Sequence, residues 1–232
     1  MKLIGIVGRA YYNSDNQEIM QVNEAIRKVL SSYSDVVPIL LLPTNCKNYV
    51  DIKMGEDKIG DIDRKKIDYI IDKCDGFVVP GGTYWYQFDE YVINYAIQSG
   101  KPLLGICAGF QAICSKFAVN RDKFDMTKKF SSDCHYKGPR QYVHKNLVID
   151  NTLLRKIIGK EKIMVNSLHH DYIDVKMYDL IISSFSDDGV IEAVELPGHP
   201  FFLGIQWHPE YLLDTNSKKI FDKFIDSVKE LQ

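Results

Sequence analysis

Short apolar runs alternate with amphipathic stretches through the first half of this chain, and that alternation leaves few folds open. Leu3–Val7, Val36–Leu42, Gly76–Val79 and Pro102–Ile106 read as buried strands. Between and after them, Asn16–Ser32, Asp63–Lys73, Asp89–Ser99 and Ala108–Phe117 place apolar residues at helical spacing. The first of these carries Ile19, Val22, Ile26, Val29 and Leu30 on one face. Val36–Leu42 is almost wholly apolar, which fits a strand covered on both faces. Strands separated by helices of this length form βαβ units, so the pattern predicts an α/β fold. Its sheet should be mostly parallel, with helices on both sides.

The second half changes character. Residues 120–141 are polar and rich in Arg121, Lys123, Lys128, Lys129, Lys137 and Arg140, and read as a solvated excursion or as a rim facing substrate or a partner. Short strands follow at Val143–Ile149, Lys162–Asn166, Asp179–Ser184, Val190–Glu195 and Phe202–Gln206. Asp187-Asp188-Gly189 between two of them reads as a hairpin turn. Thr215–Leu231 is a helix with Ile220, Phe221, Phe224, Ile225 and Val228 on its apolar face. No repeat and no linker interrupts the pattern, so residues 1–232 are expected to form a single domain, a normal size for one.

Composition excludes several classes. A net charge of -2, from 29 basic and 31 acidic residues, offers no global field for nucleic acid or an anionic membrane. The apolar runs are too short to span a bilayer, and the opening residues lack the features of a signal peptide. Five cysteines without a CxxC pair argue against a disulfide framework or a structural zinc motif, and favour a reducing cytoplasm.

The most informative stretch is Gly105-Ile106-Cys107-Ala108-Gly109-Phe110-Gln111. A strand enters it and a helix leaves it, which makes Gly-X-Cys-X-Gly the cysteine counterpart of a nucleophile elbow. Cys107 would stand at the carboxyl end of the sheet and at a helix N-terminus, where unpaired N–H groups favour a thiolate. Cys46, Cys74, Cys114 and Cys134 have no such setting and read as core or surface residues. A thiol nucleophile needs a base and a group to orient it. Gln206-Trp207-His208-Pro209-Glu210 offers both. In an extended segment His208 and Glu210 would point the same way, so Glu210 could hold one ring nitrogen while the other faces Cys107. Pro80-Gly81-Gly82 follows a neighbouring strand. The backbone N–H of Gly82 (or Gly81) and that of Ala108 could converge on a developing oxyanion.

In this order the motifs resemble the class I glutamine amidotransferase fold, a flavodoxin-like three-layer arrangement. Within it they are most similar to the peptidase C26 family of γ-glutamyl hydrolases. Further stretches carry the resemblance: Leu3–Gly8 is similar to the family's opening strand, and Val165-Asn166-Ser167-Leu168-His169-His170 to its Val-Asn-Ser-X-His segment. Ser186–Ala193 is similar to its Ser-X-Asp-Gly-X-X-Glu-Ala turn, and His199-Pro200-Phe201 leads into the strand before His208. The resemblance implies Cys107 as nucleophile, His208 as base, Glu210 as orienter, and the Gly82 and Ala108 amides as the oxyanion hole. It also implies Gly81, Gln111, Asn166, Ser167 and His169 near the substrate. Two features depart from the family. Ala108 stands where Arg is common, and Ser115–Asn120 replaces a Gly-Gly-X-Leu-X-Gln-Asp stretch. His135 and His144 fall where the family often has histidines, and are read here as core or solvated residues.

The reading is a cysteine-dependent hydrolase of γ-glutamyl amides, acting through a γ-glutamyl thioester on a small molecule, with no cofactor and no metal. No metal-ligand cluster is evident in the spacing of histidines, cysteines and acids. The alternative is a glutaminase subunit that delivers ammonia to a separate synthase. A redox-sensing use of the elbow cysteine is disfavoured by the paired base. The expected location is cytoplasmic, with no nucleic-acid or membrane partner; self-association is left open.

Overall fold

A computed structural model of the protein describes residues 1–43, 59–119, 127–129 and 134–231. Cys46 and much of the basic stretch 120–141 lie outside the described residues.

The strands are β1 (Lys2–Val7), β2 (Arg9–Tyr12), β3 (Glu18–Gln21), β4 (Val36–Leu41), β5 (Gly76–Val79), β6 (Leu103–Ile106), β7 (Thr127–Lys129), β8 (Tyr136–Gly138), β9 (His144–Val148), β10 (Lys162–Val165), β11 (Ser167–Leu168), β12 (Asp171–Ile173), β13 (Ile181–Ser186), β14 (Ile191–Glu195) and β15 (Phe202–Ile205). The helices are α1 (Glu24–Ser31), α2 (Asp61–Ile71), α3 (Gln87–Ser99), α4 (Ala108–Lys116), α5 (Leu153–Ile158), α6 (Pro209–Leu212) and α7 (Thr215–Glu230). Among the described residues nine strands form one sheet in the order β10-β9-β13-β14-β15-β6-β5-β1-β4. From β15 to β4 the pairing is parallel, as βαβ connections require. From β10 to β15 it is antiparallel.

Side chains alternate across the sheet with the period of two that extended backbone imposes. Ile4, Ile6, Val78, Leu104, Ile106, Leu203 and Ile205 pack on one face, against α1, α5 and α7. Val7, Phe77, Val79, Leu103 and Phe202 pack on the other, against α2, α3 and α4. The result is three layers with a core on each side. The closing helix follows its sequence pattern: Asp214 caps it by accepting from Ser217 N at 2.8 Å, and Ile220, Phe221, Phe224, Ile225 and Val228 are buried.

Three expectations are corrected. The helix expected over Asn16–Ser32 is only its second half. Residues 9–21 instead form the β2–β3 hairpin, with Asn13 Oδ1 accepting from Asp15 N and Gln17 N at the turn. The helix begins where Asn23 Oδ1 accepts from Ala25 N at 2.8 Å, so local capping overrides the apolar spacing upstream. β4, expected to be covered on both faces, is only partly covered, and among the described residues it is the edge of the sheet. Leu40 is exposed there, and Pro38, which has no N–H to give to a further strand, suits that position. His208 and Glu210 are not in extended backbone: His208 caps α6, Pro209 is its first residue, and Glu210 lies in its first turn. The short helix α5 was not anticipated.

Candidate active site

Cys107 connects β6 to α4 with φ 51 and ψ -105, a backbone state that a non-glycine residue rarely adopts. Its N–H bonds Ile205 O at 2.9 Å, and its carbonyl accepts the first helical bond, from Gln111 N, at 3.0 Å. The surrounding structure thus holds the strained residue from both sides. Gly109 explains the second glycine of the motif. A Cβ there would lie 1.9 Å from Val79 O, so the helix could not approach β5 as closely with any other residue.

His208 approaches from the end of β15. Its Nδ1 lies 2.7 Å from Glu210 Oε1, and a carboxylate can only accept, so Nδ1 carries the proton and Nε2 is left for the thiol. All three side chains are buried. Burial works against a Cys107 thiolate. The charge of His208 and its hydrogen bond to the sulfur outweigh that, with help from His169, and bring the thiol pKa below its ordinary value. For His208, burial opposes the imidazolium, but Glu210 and Cys107 raise its pKa well above the usual range. The two directions agree on a thiolate–imidazolium pair. By contrast, burial pushes Cys74 up to about 11, and Cys114 well above an ordinary thiol. Cys134 is exposed.

The Pro80-Gly81-Gly82 turn follows β5 beside this pair. A Cβ on Gly81 would lie 2.6 Å from His208 Cε1 and 3.3 Å from Cys107 Cβ, so glycine is what lets the turn sit against both. The sequence reading missed what holds this turn. Arg9 is buried and sends Nε to Gly81 O at 3.2 Å, a second nitrogen to Pro80 O, and Nη1 to Asp89 Oδ1 at 2.6 Å. Asp89 Oδ2 in turn accepts from Tyr86 N at 2.8 Å at the start of α3. No local motif announces Arg9; the only signal was a charged residue directly after an apolar strand.

The residues grouped as substrate contacts divide. Asn166 receives His208 N at 3.0 Å and donates to His208 O at 2.8 Å and to Pro139 O, so its amide anchors the backbone at His208. Ser167 Oγ donates to His135 O at 2.6 Å. Gln111 Nε2 donates to Gln206 Oε1 at 3.3 Å, one helical turn from Cys107. His169 is close enough to Cys107 to favour its thiolate.

An open α/β sheet with a cysteine elbow, a His–Glu pair on the adjoining strand end and a glycine turn beside them defines a class I glutamine amidotransferase-like domain. The glutaminase domain of Trypanosoma brucei CTPS, solved with bound acivicin, superposes with a TM-score of 0.68 over 100% of this chain and 95% of that one, at 16% identity. The chain belongs to the peptidase C26 family, whose model matches residues 86–210 and therefore includes Cys107, His208 and Glu210. Among curated relatives, a CTP synthase of Thermosipho africanus is 27% identical over 90% of this chain and 42% of its own length. A Mycobacterium tuberculosis protein provisionally named a glutamine amidotransferase is 34% identical over 64% of this chain and 46% of its own. The chain thus spans less than half of either relative. Among the described residues, no helix is long and apolar enough to cross a membrane.

Proposed function

We propose that this chain hydrolyses γ-glutamyl amides through a thioester on Cys107. The observation that carries the reading is the strained Cys107, hydrogen-bonded to a His208 whose far nitrogen is held by Glu210. The Cys107 thiolate attacks the side-chain amide carbonyl carbon. The oxyanion forms against the backbone N–H groups of Gly82 and Ala108. His208 Nε2–H protonates the departing amine, the C–N bond breaks, and a γ-glutamyl thioester remains. His208, now neutral, takes a proton from water, whose oxygen attacks the thioester carbon. Glutamate leaves and the thiolate–imidazolium pair is restored. Gln111, one helical turn from Cys107, and His169, near its sulfur, are assigned to the surroundings of the glutamyl group. Ala108 in place of the family's usual Arg leaves the amide donor intact but removes a charged side chain beside Cys107. The Arg9–Asp89 pair holds the oxyanion turn, and Asn166 holds the base.

A second reading draws on the CTP synthase relatives: the same three residues would release ammonia from glutamine for a separate synthase. Glutamate release by the purified chain decides between them. The panel is glutamine, γ-glutamyl-γ-aminobutyrate, a γ-glutamyl polyamine and γ-glutamyl peptides, with Cys107→Ala as control. Turnover of a conjugate, lost in the control, supports the hydrolase. Inactivity on every conjugate, with glutamine turned over only when a synthase is added, would replace it with the amidotransferase.

A further inference from the structure

The antiparallel half of the sheet gathers a second polar cluster, which meets the chemistry at Cys107 only through His169. His135 precedes β8, His144 opens β9, His169 lies between β11 and β12, and Glu192 lies in β14. Glu192 is 0% exposed, His135 2%, His169 4% and His144 9%. One ligand atom from each of the four lies within 4.8 Å of the others, and Glu192 Oε1 faces His135 Nδ1, His144 Nε2 and His169 Nε2.

The outward sides of two rings fix their tautomers. His135 Nε2 lies 3.0 Å from Asp188 Oδ2, and His169 Nδ1 lies 2.9 Å from the carbonyl oxygen of Asp171. Both partners, a carboxylate and a backbone carbonyl oxygen, are acceptors. The ring protons therefore sit on the outward nitrogens. The inward nitrogens face each other at 3.2 Å with lone pairs. Glu192 Oε1 completes the triangle at 3.6 Å from His135 Nδ1 and 3.5 Å from His169 Nε2, and lies 3.9 Å from His144 Nε2. Neither Glu192 oxygen and neither His144 nitrogen has a hydrogen-bond partner of normal geometry among the described residues. A fully buried carboxylate in that condition is costly unless something positive sits against it.

The contacts to Glu192 are long for hydrogen bonds, and with no proton between the two inward nitrogens all of these separations suit the edges of a coordination polyhedron. Ligands about 2.1 Å from a tetrahedral centre stand about 3.4 Å apart. The outward bonds to a carboxylate and a carbonyl are the supports that metal-bound histidines generally have. We propose that His135, His144, His169 and Glu192 bind one divalent transition-metal ion of the Zn²⁺ class, in a closed four-ligand site. With all four positions taken by protein, the ion has no vacancy for water and is structural. It ties the segment carrying His169, beside Cys107, to the start of β14. A single extra proton on His169 is the competing occupant: it would satisfy one contact to Glu192 and leave His144 unbonded. The inference stands independently of the reaction assigned to Cys107.

The test uses the full chain, stripped by chelator and titrated with Co²⁺, then with Zn²⁺. The expected result is one Co²⁺ per chain with the visible absorption of a tetrahedral N/O site, displaced by Zn²⁺, and an apparent melting temperature that rises with free Zn²⁺. Glu192→Gln and His144→Gln should each weaken binding about 10-fold or more, and Cys107→Ala and Cys134→Ser should leave it unchanged. Circular dichroism checks that each variant is folded. Because His144 lies at the rim of the cluster, its variant serves if the buried Glu192→Gln does not fold. No saturable one-to-one binding would overturn the proposal, as would binding indifferent to both ligand substitutions. Loss of binding in Cys107→Ala or Cys134→Ser would place the ion on a thiolate instead and overturn it equally. Protonation of His169 near neutral pH, seen by NMR in a chain that takes up neither metal, would assign the cluster to a proton.

Discussion

The two histidine–carboxylate clusters use the same residue types to opposite ends. At Cys107, one imidazole meets one carboxylate at 2.7 Å, close enough to fix a proton on Nδ1 and free Nε2 for the sulfur. Around Glu192, three imidazoles meet one carboxylate at 3.5 to 3.9 Å, with their outward nitrogens already bonded in two cases. The first spacing suits proton transfer; the second leaves lone pairs pointing inward. In the roles proposed above, about an ångström of separation, set by which strands carry the side chains, divides acid–base chemistry from cation binding. The supports differ as well. The catalytic cluster sits at the carboxyl ends of parallel strands, where chain direction brings β5, β6 and β15 to one rim. The other is assembled from antiparallel strands and the loops between them.

That comparison can be broken most directly at the sulfur. Cys107→Ala should lower glutamate release at least about 10⁴-fold while Co²⁺ uptake is unchanged. A variant that kept activity would end the thioester mechanism. Glu210→Gln should cost roughly 10²- to 10⁴-fold in kcat, because Glu210 orients and charges His208 without reacting. The pH profile gives a sharper reading. In the native chain, kcat/KM should rise as pH passes the depressed thiol pKa, and fall as it passes the raised imidazole pKa. Glu210 raises the latter, so its loss should move the alkaline limb to lower pH. An alkaline limb that stays in place would remove Glu210 from the role.

Arg9→Lys keeps a cation against Asp89 but cannot also reach the Pro80 and Gly81 carbonyls. A loosened oxyanion turn should lower kcat by about 10²-fold, with KM and metal binding little changed. Equal losses in kcat and in folded fraction would make Arg9 merely structural. The smallest effect is expected far from either cluster. Thr152 caps α5 by accepting from Arg155 N at 3.1 Å, and Thr152→Ala should cost about 1 kcal/mol in denaturant unfolding. Activity and ion binding should not move; a change in either would tie α5 to the sites.

Much of the catalytic cluster was legible because its parts are local motifs. Gly-X-Cys-X-Gly after an apolar strand foretold the elbow, since a strained turn and a close helix–strand approach can be met by few residue types. His208 and Glu210 were found for a partly mistaken reason. Their proximity comes from the first turn of α6, where Pro209 starts a helix, and not from extended backbone. Arg9 was missed because its partners, Gly81 and Asp89, lie 72 and 80 residues away. Asn166 was noticed, but its work on the backbone of His208 was not, since hydrogen bonds to main chain leave no trace in the sequence. The Glu192 cluster was invisible for the same reason: residues 135, 144, 169 and 192 form no ligand motif by spacing.

The amino-acid sequence alone determined the layered α/β plan, the strained cysteine turn at a strand end and the His–Glu pair proposed to serve it, because periodicity, turn chemistry and short motifs are properties of neighbouring residues. The tertiary structure decided where the sheet turns antiparallel, that β4 is an edge, which residues brace the oxyanion turn, and that three distant histidines meet one buried carboxylate. Those outcomes depend on strand order and register, which long-range packing sets and no local pattern encodes.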